Sequence, residues 1–464
     1  MNTKKALKTS LLCWSFITAG VMGLMACGGS TAKPGVETGG ETMNISGIAR
    51  FEGPQHCTAF ALDWGQDQAP AYALTSGHCV QNYSDPESVY QVVQNQPGQG
   101  QLVFKYDNST ASQQITVPVR EVVYSTLNQT DLAVLRLEGT VAQLRAQGIA
   151  PLKLQNTPAP ALSSVTVVGA PMGQFLKKIQ CALGQRTDVT EFTWVWQALQ
   201  ANDCQGVEPG MSGSPVINRL NQEVVGVINT TTQDMVDTVT CYLGSPCEIT
   251  PWGTAPQRQR AYSVPTDTLS GCFANGLWDG SQPHCTLPRS GPALTLDGLY
   301  SPLQNTLPGR RWQFGGTADA NTRIKIVKAG SDSCQNPNGY QNYKDDPHPL
   351  IATEEGVYLA CLQNETGLTT WPLQVDNTAS TLEPRFKVLE ANERSTYIEL
   401  LYAVPEITRF EYTTARSTLA CQTARGFQAY WNVPVDLGPR PVVLCTKTFD
   451  RAGNESRVWA HTLN

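Results

Sequence analysis

The chain has 464 residues, a formal net charge of −6, 16% charged residues, 39 glycines and 30 prolines. Its length predicts roughly three domains, and its turn-rich composition without long amphipathic heptads favours β-structure over helices. Beyond the N-terminus no Lys/Arg cluster occurs, which argues against nucleic acid as a partner because phosphate binding requires one.

Residues 1–26 predict an export signal, because three lysines precede an uncharged, mostly apolar run that is too short for a membrane span. Leu24-Met25-Ala26-Cys27 resembles the lipobox of bacterial lipoproteins. The resemblance implies a lipid on Cys27 that anchors the exported protein to a membrane of the bacterial cell envelope, on its periplasmic or surface side. The alternative is an ordinary signal peptide with an incidental cysteine. Residues 27–43 are predicted to be a flexible tether.

Twelve of the fourteen cysteines remain once Cys13 in the signal and Cys27 are set aside. An even set in an exported chain implies about six disulfides. Connectivity does not follow from sequence, but pairing of neighbours would keep each bridge inside one domain: Cys57/Cys79, Cys181/Cys204, Cys241/Cys247, Cys272/Cys285, Cys334/Cys361 and Cys421/Cys445. No metal site is predicted, since neither Cys-x-x-Cys nor His-Glu-x-x-His occurs.

Residues 44–270 predict an all-β domain. Short apolar runs recur between turn residues, and about 225 residues suit a pair of small barrels. The clearest strand candidates are 60–64, 115–124, 131–137, 165–169 and 223–229.

A candidate nucleophile, Ser212, lies in Gly210-Met211-Ser212-Gly213-Ser214-Pro215. Flanking glycines allow a sharp turn in which backbone N–H groups converge on one oxygen, although the same pattern occurs in ordinary turns. A serine nucleophile needs a base. His78, in Thr75-Ser76-Gly77-His78-Cys79, fits that role; the alternative is a histidine beside a structural disulfide.

Asp131 is the candidate third member. It begins the apolar run Leu132–Leu135, where a buried carboxylate requires a partner, and such an acid would orient the imidazole. The alternative is an aspartate in a turn or at a strand edge.

Together these segments resemble the trypsin/chymotrypsin-like serine proteases, in the order His, Asp, Ser with spacings of 53 and 81 residues. Thr-Ser-Gly-His-Cys is similar to the family's Thr-Ala-Ala-His-Cys, and the serine segment to its Gly-Asp-Ser-Gly-Gly-Pro. The resemblance implies a two-barrel chymotrypsin-like fold without a cofactor, and a triad of His78, Asp131 and Ser212. It also implies an oxyanion hole formed by the N–H groups of Gly210 and Ser212, and the Cys57–Cys79 bridge.

Two departures from the family pattern matter. Met211 occupies the place of an aspartate that pairs with a newly formed N-terminus in animal trypsins, so the serine segment is closer to the glutamyl-endopeptidase-like bacterial members. Cys204 lies eight residues before Ser212, farther than in animal trypsins, which implies a shifted wall of the specificity pocket.

The sequence leaves the substrate preference open. Gly206 stands where trypsin has its acidic selector. Glu208 lies nearby, either as a selector or as an exposed loop residue. The segment 232–260 either shapes the pocket rim or forms a surface loop.

The second half predicts a disulfide-stapled linker over 271–291 and two immunoglobulin-like β-sandwich domains over 292–376 and 377–464. A repeated pattern carries this prediction: Tyr358–Cys361 leading to Trp371–Val375, and Val443–Cys445 leading to Val458–Thr462. These domains resemble bacterial immunoglobulin-like repeats and are candidates for binding a protein or a glycan. Tyr340 and Tyr343 are candidate exposed contacts.

The sequence therefore predicts an exported, lipid-anchored serine endopeptidase acting on proteins or peptides through an acyl-enzyme. The alternative is a cell-surface binding or adhesion protein with an inactive protease-like domain. A self-limited or partner-activated enzyme lies between them.

Overall fold

A computed structural model describes residues 43–81, 86–107, 111–232, 241–251, 253–296, 300–301, 314–345, 354–401, 407–431 and 433–464. The predicted signal, the candidate lipidation residue Cys27 and all of the tether except Met43 lie outside these ranges. Asn44–Asn464 form one compact unit. Across the described ranges, no helix has the length and apolar character needed to cross a bilayer.

Seven strands build the first barrel: β1 (Ile48–Glu52), β2 (His56–Ala61), β3 (Pro70–Thr75), β4 (Val92–Pro97), β5 (Gln101–Phe104), β6 (Ile115–Thr126) and β7 (Leu132–Thr140). Six of them pair in the order β6-β5-β1-β2-β3-β7, and β7 pairs again with β6 to close the ring, with β4 beside β6. Alternate residues fill the interior, such as Phe51 of β1 and Phe104 of β5, both fully buried. Helix α1 (Val141–Ala146) follows β7.

Eight strands build the second barrel: β8 (Ser164–Gly169), β9 (Lys177–Glu191), β10 (Trp194–Asn202), β11 (Pro215–Asn218), β12 (Val224–Thr231), β13 (Cys247–Thr250), β14 (Gly253–Pro256) and β15 (Ala261–Pro265). The order β10-β15-β12-β11-β8-β9 closes through pairing of β9 with β10, and β13-β14 extend β9. The all-β, two-barrel prediction is confirmed.

One predicted strand has the wrong bounds. Of the run 60–64, only Phe60 and Ala61 lie in a strand, because β2 covers His56–Ala61. The turn between β1 and β2 is short enough for pairing to begin at His56, opposite Glu52. The chain then leaves the sheet at Asp63, whose carboxylate accepts a hydrogen bond from the Gly65 N–H (2.9 Å) in a local turn.

The disulfide-stapled segment, residues 271–291, packs against the first barrel. Its short hairpin consists of β16 (Phe273–Ala274) and β17 (Leu277–Trp278). The Phe273 ring stacks on Trp64, with ring centroids 4.0 Å apart. The Trp278 ring lies 5.4 Å from Tyr124 of β6. This segment is therefore a docked element of the fold.

The remaining chain forms four further sheets. Their strands are β18 (Thr295–Leu296), β19 (Tyr300–Ser301), β20 (Phe314–Gly315), β21 (Arg323–Lys328), β22 (Gln341–Asn342), β23 (Gly356–Gln363), β24 (Leu368–Val375), β25 (Phe386–Ala391), β26 (Thr396–Leu400), β27 (Ile407–Ala415), β28 (Gln428–Ala429), β29 (Val435–Asp436), β30 (Val442–Asp450) and β31 (Trp459–Leu463), with helix α2 (Thr418–Cys421). The orders are β18-β20, β19-β24-β23-β21-β22, β25-β26-β29 and β28-β27-β30-β31. The last two sheets share an apolar core that includes Ile398 and Leu444. The immunoglobulin-like assignment stays a prediction.

The repeat identified in the sequence corresponds to two antiparallel hairpins, β23–β24 and β30–β31. The prediction of an exposed Tyr340 is wrong, because its ring lies in an apolar core at 9% exposure and its hydroxyl donates to the Cys334 carbonyl. Tyr343 is half-buried, with its ring centroid 6.4 Å from that of Phe314. Neither tyrosine is a fully exposed contact.

The twelve cysteines that follow the tether are all bonded, each to its neighbour in the sequence. The bridges are Cys57–Cys79, Cys181–Cys204, Cys241–Cys247, Cys272–Cys285, Cys334–Cys361 and Cys421–Cys445. The connectivity that the sequence left open is thus the one that keeps each bridge within one predicted domain or linker.

Two of these bridges tie neighbouring segments of the fold together. Cys204 is fully buried in the apolar core of the second barrel, where its bond to Cys181 ties the chain after β10 to β9. Cys285 is half-buried, and its N–H donates to the Gln282 carbonyl (3.0 Å) in a turn. Its bond to Cys272 closes the stapled segment. Both bridges therefore stabilise the fold and contribute no group to chemistry.

Candidate active site

His78 lies in a 3₁₀ turn, Gly77–Cys79, directly after β3. The disulfide from Cys79 to Cys57 ties this turn to β2. A Cβ on Gly77 would lie 2.2 Å from the Thr126 carbonyl oxygen, so the turn packs closely against β6. The histidine backbone is therefore held by the first barrel.

Asp131 precedes β7 and is fully buried. Its Oδ1 accepts a hydrogen bond from the His78 backbone N–H (2.8 Å), and its Oδ2 lies 2.6 Å from His78 Nδ1. One carboxylate thus holds both the backbone and the ring of the histidine. Burial acts to lower the pKa of His78, but the charge and hydrogen bond of Asp131, with a further charge from Glu191, outweigh it and raise the pKa above 6.5.

Ser212 belongs to the loop between β10 and β11 of the second barrel. Its carbonyl accepts a hydrogen bond from the Thr58 N–H of the first barrel (2.8 Å), and the next N–H, that of Gly213, donates to Ile228 (2.8 Å). Gly210 and Gly213 have φ angles of +95° and +84°, which favour glycine. The serine is therefore held where the two barrels meet.

The predicted oxyanion donors are available. Neither the Gly210 nor the Ser212 N–H donates a hydrogen bond within the part of the chain that the structure describes. The Gly210 carbonyl faces the other way and accepts a bond from Thr58 Oγ1 (3.0 Å), which in turn accepts from the Ala170 N–H (2.9 Å). Sequence reasoning missed Thr58, whose only local signal is its place beside Cys57.

A cleft of about 510 Å³ lies at the predicted triad. Both His78 and Ser212 line it, and Asp131 lies buried behind the imidazole. Among the described residues no hydrogen bond joins His78 to Ser212. Catalytic hydrogen bonds are often long before substrate binds, so the arrangement fits a serine nucleophile and its base.

Met211, next to the serine, is fully buried in the apolar core of the second barrel with Val167, Val207 and Val216. Its side chain fixes the loop by packing. Met211, at the position of the aspartate of animal trypsins, therefore holds the loop through apolar contacts.

Met211→Ala is expected to lower the free energy of unfolding of the barrel domain by about 2–5 kcal/mol, because it leaves a cavity in the core. Met172→Ala, at a side chain that is 62% exposed, is the matched control and should change it by no more than about 0.5 kcal/mol. Urea unfolding followed by tryptophan fluorescence measures both. Equal values for the two variants would contradict the packing role.

The chain between Cys204 and Ser212 forms part of the cleft wall. Val207, Glu208 and Pro209 line the cleft, whereas Cys204 lies in the barrel core behind them. The wider spacing between Cys204 and Ser212 therefore places a loop, and not the disulfide, against a substrate.

Two further acids line the cleft, and they differ in their partners. Glu208 accepts a hydrogen bond from Lys177 Nζ (2.5 Å), which holds the pKa of this carboxyl below its usual range. Glu191, at the end of β9, is 6% exposed and forms no ion pair in the described ranges. Burial raises the pKa of Glu191 to about 7, although the nearby Thr230 hydroxyl, the Gly244 N–H and the charge of His78 act to lower it. Sequence reasoning missed Glu191, whose signal is an acid in an otherwise strand-like run.

The loop closed by Cys241–Cys247 contributes Leu243 and Gly244 to the cleft. Of the two alternatives for the segment 232–260, the described part 241–251 therefore supports a pocket rim. Residues 233–240 lie outside the described ranges.

The five-stranded sheet contacts the segment that leads into Asp131. The Leu368 carbonyl of β24 accepts hydrogen bonds from the side-chain amides of Asn128 and Gln129, both at 2.8 Å. Val195 of β10 packs in the apolar core of that same sheet. The five-stranded sheet thus packs against the barrels beside the segment that holds Asp131.

Residues 57–227 match the family model of the trypsin-like peptidase domain. Comparison with curated proteins finds no match. Among solved structures, the chain is similar to the MamO protease domain from Magnetospirillum magneticum (13% identity, 50% of this chain and 98% of that one, TM-score 0.33). It is also similar to the protease Anisep from Arthrobacter nicotinovorans (14%, 48% and 91%, TM-score 0.31) and to human heparin binding protein (16%, 48% and 88%, TM-score 0.32). The match of residues 57–227 to the trypsin-like peptidase domain agrees with the two-barrel topology of this part of the chain.

Proposed function

We propose that this chain, whose residues 57–227 form a trypsin-like peptidase domain, is a serine endopeptidase that hydrolyses proteins or peptides through an acyl-enzyme. The observation that carries the proposal is the hydrogen-bonded pair of the buried Asp131 and the partly exposed His78, with Oδ2 and Nδ1 2.6 Å apart, at a cleft that Ser212 also lines. A hydrogen-bonded acid, a base and a serine beside free backbone donors are the parts that acyl transfer requires.

In the proposed mechanism, Nδ1 of His78 is engaged by Asp131, which leaves Nε2 to accept the Ser212 proton. Oγ then bonds to the substrate carbonyl carbon, and the oxyanion is stabilised by the N–H groups of Gly210 and Ser212. The imidazolium returns the proton to the leaving amine as the C–N bond breaks. Water, deprotonated by His78, hydrolyses the resulting ester and regenerates the serine.

A fluorophosphonate probe tests this proposal directly. Wild-type protein, folded and processed, is expected to become labelled at neutral pH, whereas Ser212→Ala is not, since it lacks the attacking oxygen. Ser214→Ala is a useful control because Ser214 is buried in the same loop; its labelling should persist. Absence of labelling in wild type would contradict the enzyme proposal and favour the alternative, a binding protein with an inactive protease-like domain.

We further propose that the protein is exported and anchored through a lipid on Cys27. The apolar run that follows three lysines supports export, and the Leu-Met-Ala-Cys segment supports the lipid anchor. Mass spectrometry of the N-terminal peptide should show a diacylglycerol on Cys27 in wild type and none in Cys27→Ser. An unmodified Cys27 in membrane-extracted protein would contradict it. Binding of a protein or glycan by the C-terminal domains is proposed on the resemblance alone.

A further inference from the structure

One acid that lines the cleft forms no ion pair among the described residues, and the proposed mechanism does not use it. Asp131 is paired with His78, and Glu208 with Lys177. Glu191 is 6% exposed; its Oε1 accepts a hydrogen bond from the Gly244 N–H (2.8 Å), and its Oε2 is buried with no partner at hydrogen-bond distance among the described residues, although the Thr230 hydroxyl is near enough to lower the pKa of this carboxyl. Burying a carboxylate oxygen without a partner is costly. Its position at a cleft wall points to a partner that arrives with the substrate.

The neighbours of Glu191 in the cleft favour a cationic partner. The rings of Trp194 and Trp196 also line the cleft, lying nearly parallel (6°) with centroids 5.7 Å apart. The Trp194 ring is fixed by a hydrogen bond from its Nε1 to Ser88 (3.1 Å). Indole rings attract guanidinium and ammonium groups. A carboxylate beside two indoles is therefore suited to an arginine or lysine side chain.

A second polar group at the same wall is also unpaired. Asn229 is 3% exposed, lines the cleft, and has neither its side-chain oxygen nor its nitrogen hydrogen-bonded within the described residues. Its oxygen offers another acceptor to a donor-rich cation. Arginine has five N–H donors and no acceptor, so it can satisfy several acceptors at once.

We propose that Glu191, with Asn229 and the indoles of Trp194 and Trp196, forms a subsite that selects an arginine or lysine side chain of the substrate beside the scissile bond. This inference rests on the proposed endopeptidase function and deepens it. In this proposal the acid that selects the basic side chain lies on the β9–β10 hairpin. It is neither Gly206, which has the position of trypsin's acidic selector, nor the nearby Glu208. Glu191 binds substrate in this proposal and takes no part in bond breaking.

The test begins with a peptide library that varies every position around the cleaved bond, to locate a preference for Arg or Lys in wild type. Two peptides are then made that are identical except for arginine or citrulline at that position, because citrulline keeps the shape and loses the charge. Wild type should cleave the arginine peptide with a kcat/KM about tenfold or more above that of the citrulline peptide. In Glu191→Gln the ratio should fall close to one, mainly through a higher KM for the arginine peptide.

Glu208→Gln is the matched control, since it removes the other acid of the cleft wall, which already has a lysine partner; its arginine preference should persist. Fluorophosphonate labelling of each variant counts the folded, competent nucleophile independently of preference. Labelled wild type without a basic preference, or a preference that survives in Glu191→Gln or vanishes only in Glu208→Gln, would overturn the subsite and leave the endopeptidase standing. Unlabelled wild type would overturn the endopeptidase itself.

Discussion

Replacing Asp131 with asparagine is expected to lower kcat by about 10⁴-fold while the protein stays folded. The carboxylate accepts from both the His78 N–H (2.8 Å) and Nδ1 (2.6 Å). An amide of the same shape can turn its nitrogen toward the ring, which then presents the wrong tautomer to the serine, and it no longer stabilises the imidazolium. Steady-state kinetics on a peptide cleaved by wild type measures the loss.

The same substitution should also change the pH profile. His78 must be neutral to act as a base, and its pKa is raised above 6.5 chiefly by Asp131 acting against burial. Wild-type kcat/KM is therefore expected to rise with pH through an apparent pKa above 6.5, and to be lost below it. In Asp131→Asn the residual activity should persist to lower pH, because burial is no longer opposed by that charge.

Asp67→Asn provides the control for this pair of measurements. Asp67 is an exposed acid on the first barrel and is ion-paired with Arg145. Its amide variant should keep both kcat and the rise of kcat/KM with pH. If Asp131→Asn lowers kcat by less than tenfold and leaves the apparent pKa of kcat/KM unchanged, Asp131 does not orient the base.

Gly213→Ala is expected to remove both stability and labelling by the fluorophosphonate probe. Gly213 has a φ of +84°, and an added Cβ would lie 2.1 Å from the Thr58 carbonyl oxygen and 2.3 Å from Thr75 Oγ1. Both of those atoms belong to buried residues of the first barrel, so neither can move aside easily. The loop holding Ser212 must shift, and a cost above about 4 kcal/mol is expected from such overpacking together with backbone strain.

Gly65→Ala separates the clash from the backbone strain. Gly65 has a similar φ of +72°, but an added Cβ meets nothing within 4 Å, so only the left-handed conformation is penalised, at about 1 kcal/mol. Thermal unfolding and probe labelling measure both variants. If the two alanines cost the same, the close approach of the serine loop to the first barrel is not what the structure indicates.

The sequence alone identified the parts of the candidate site that depend on local order. Ser212 between glycines, His78 beside a cysteine and Asp131 before an apolar run are all visible within a few residues, because turns and strands impose their requirements on neighbours in the chain. The all-β, two-barrel fold was also predictable, since period-2 runs between turn residues encode strands. Strand ends were less so: β2 begins at His56 because of its pairing with β1, which no local pattern shows.

Only the tertiary structure identified Thr58 and Glu191 as part of the site, and Met211 as a residue that fixes the serine loop by packing. Thr58 bonds to Gly210, which lies 152 residues away, and Met211 is an anchor only because the second barrel closes around it. Glu191 is an ordinary acid in the sequence; it becomes a buried acid of the cleft, without an ion pair among the described residues, because the pairing of β9 with β10 brings it near His78 and Asp131. Burial and missing partners are properties of the whole fold, so they depend on which distant segments pack together.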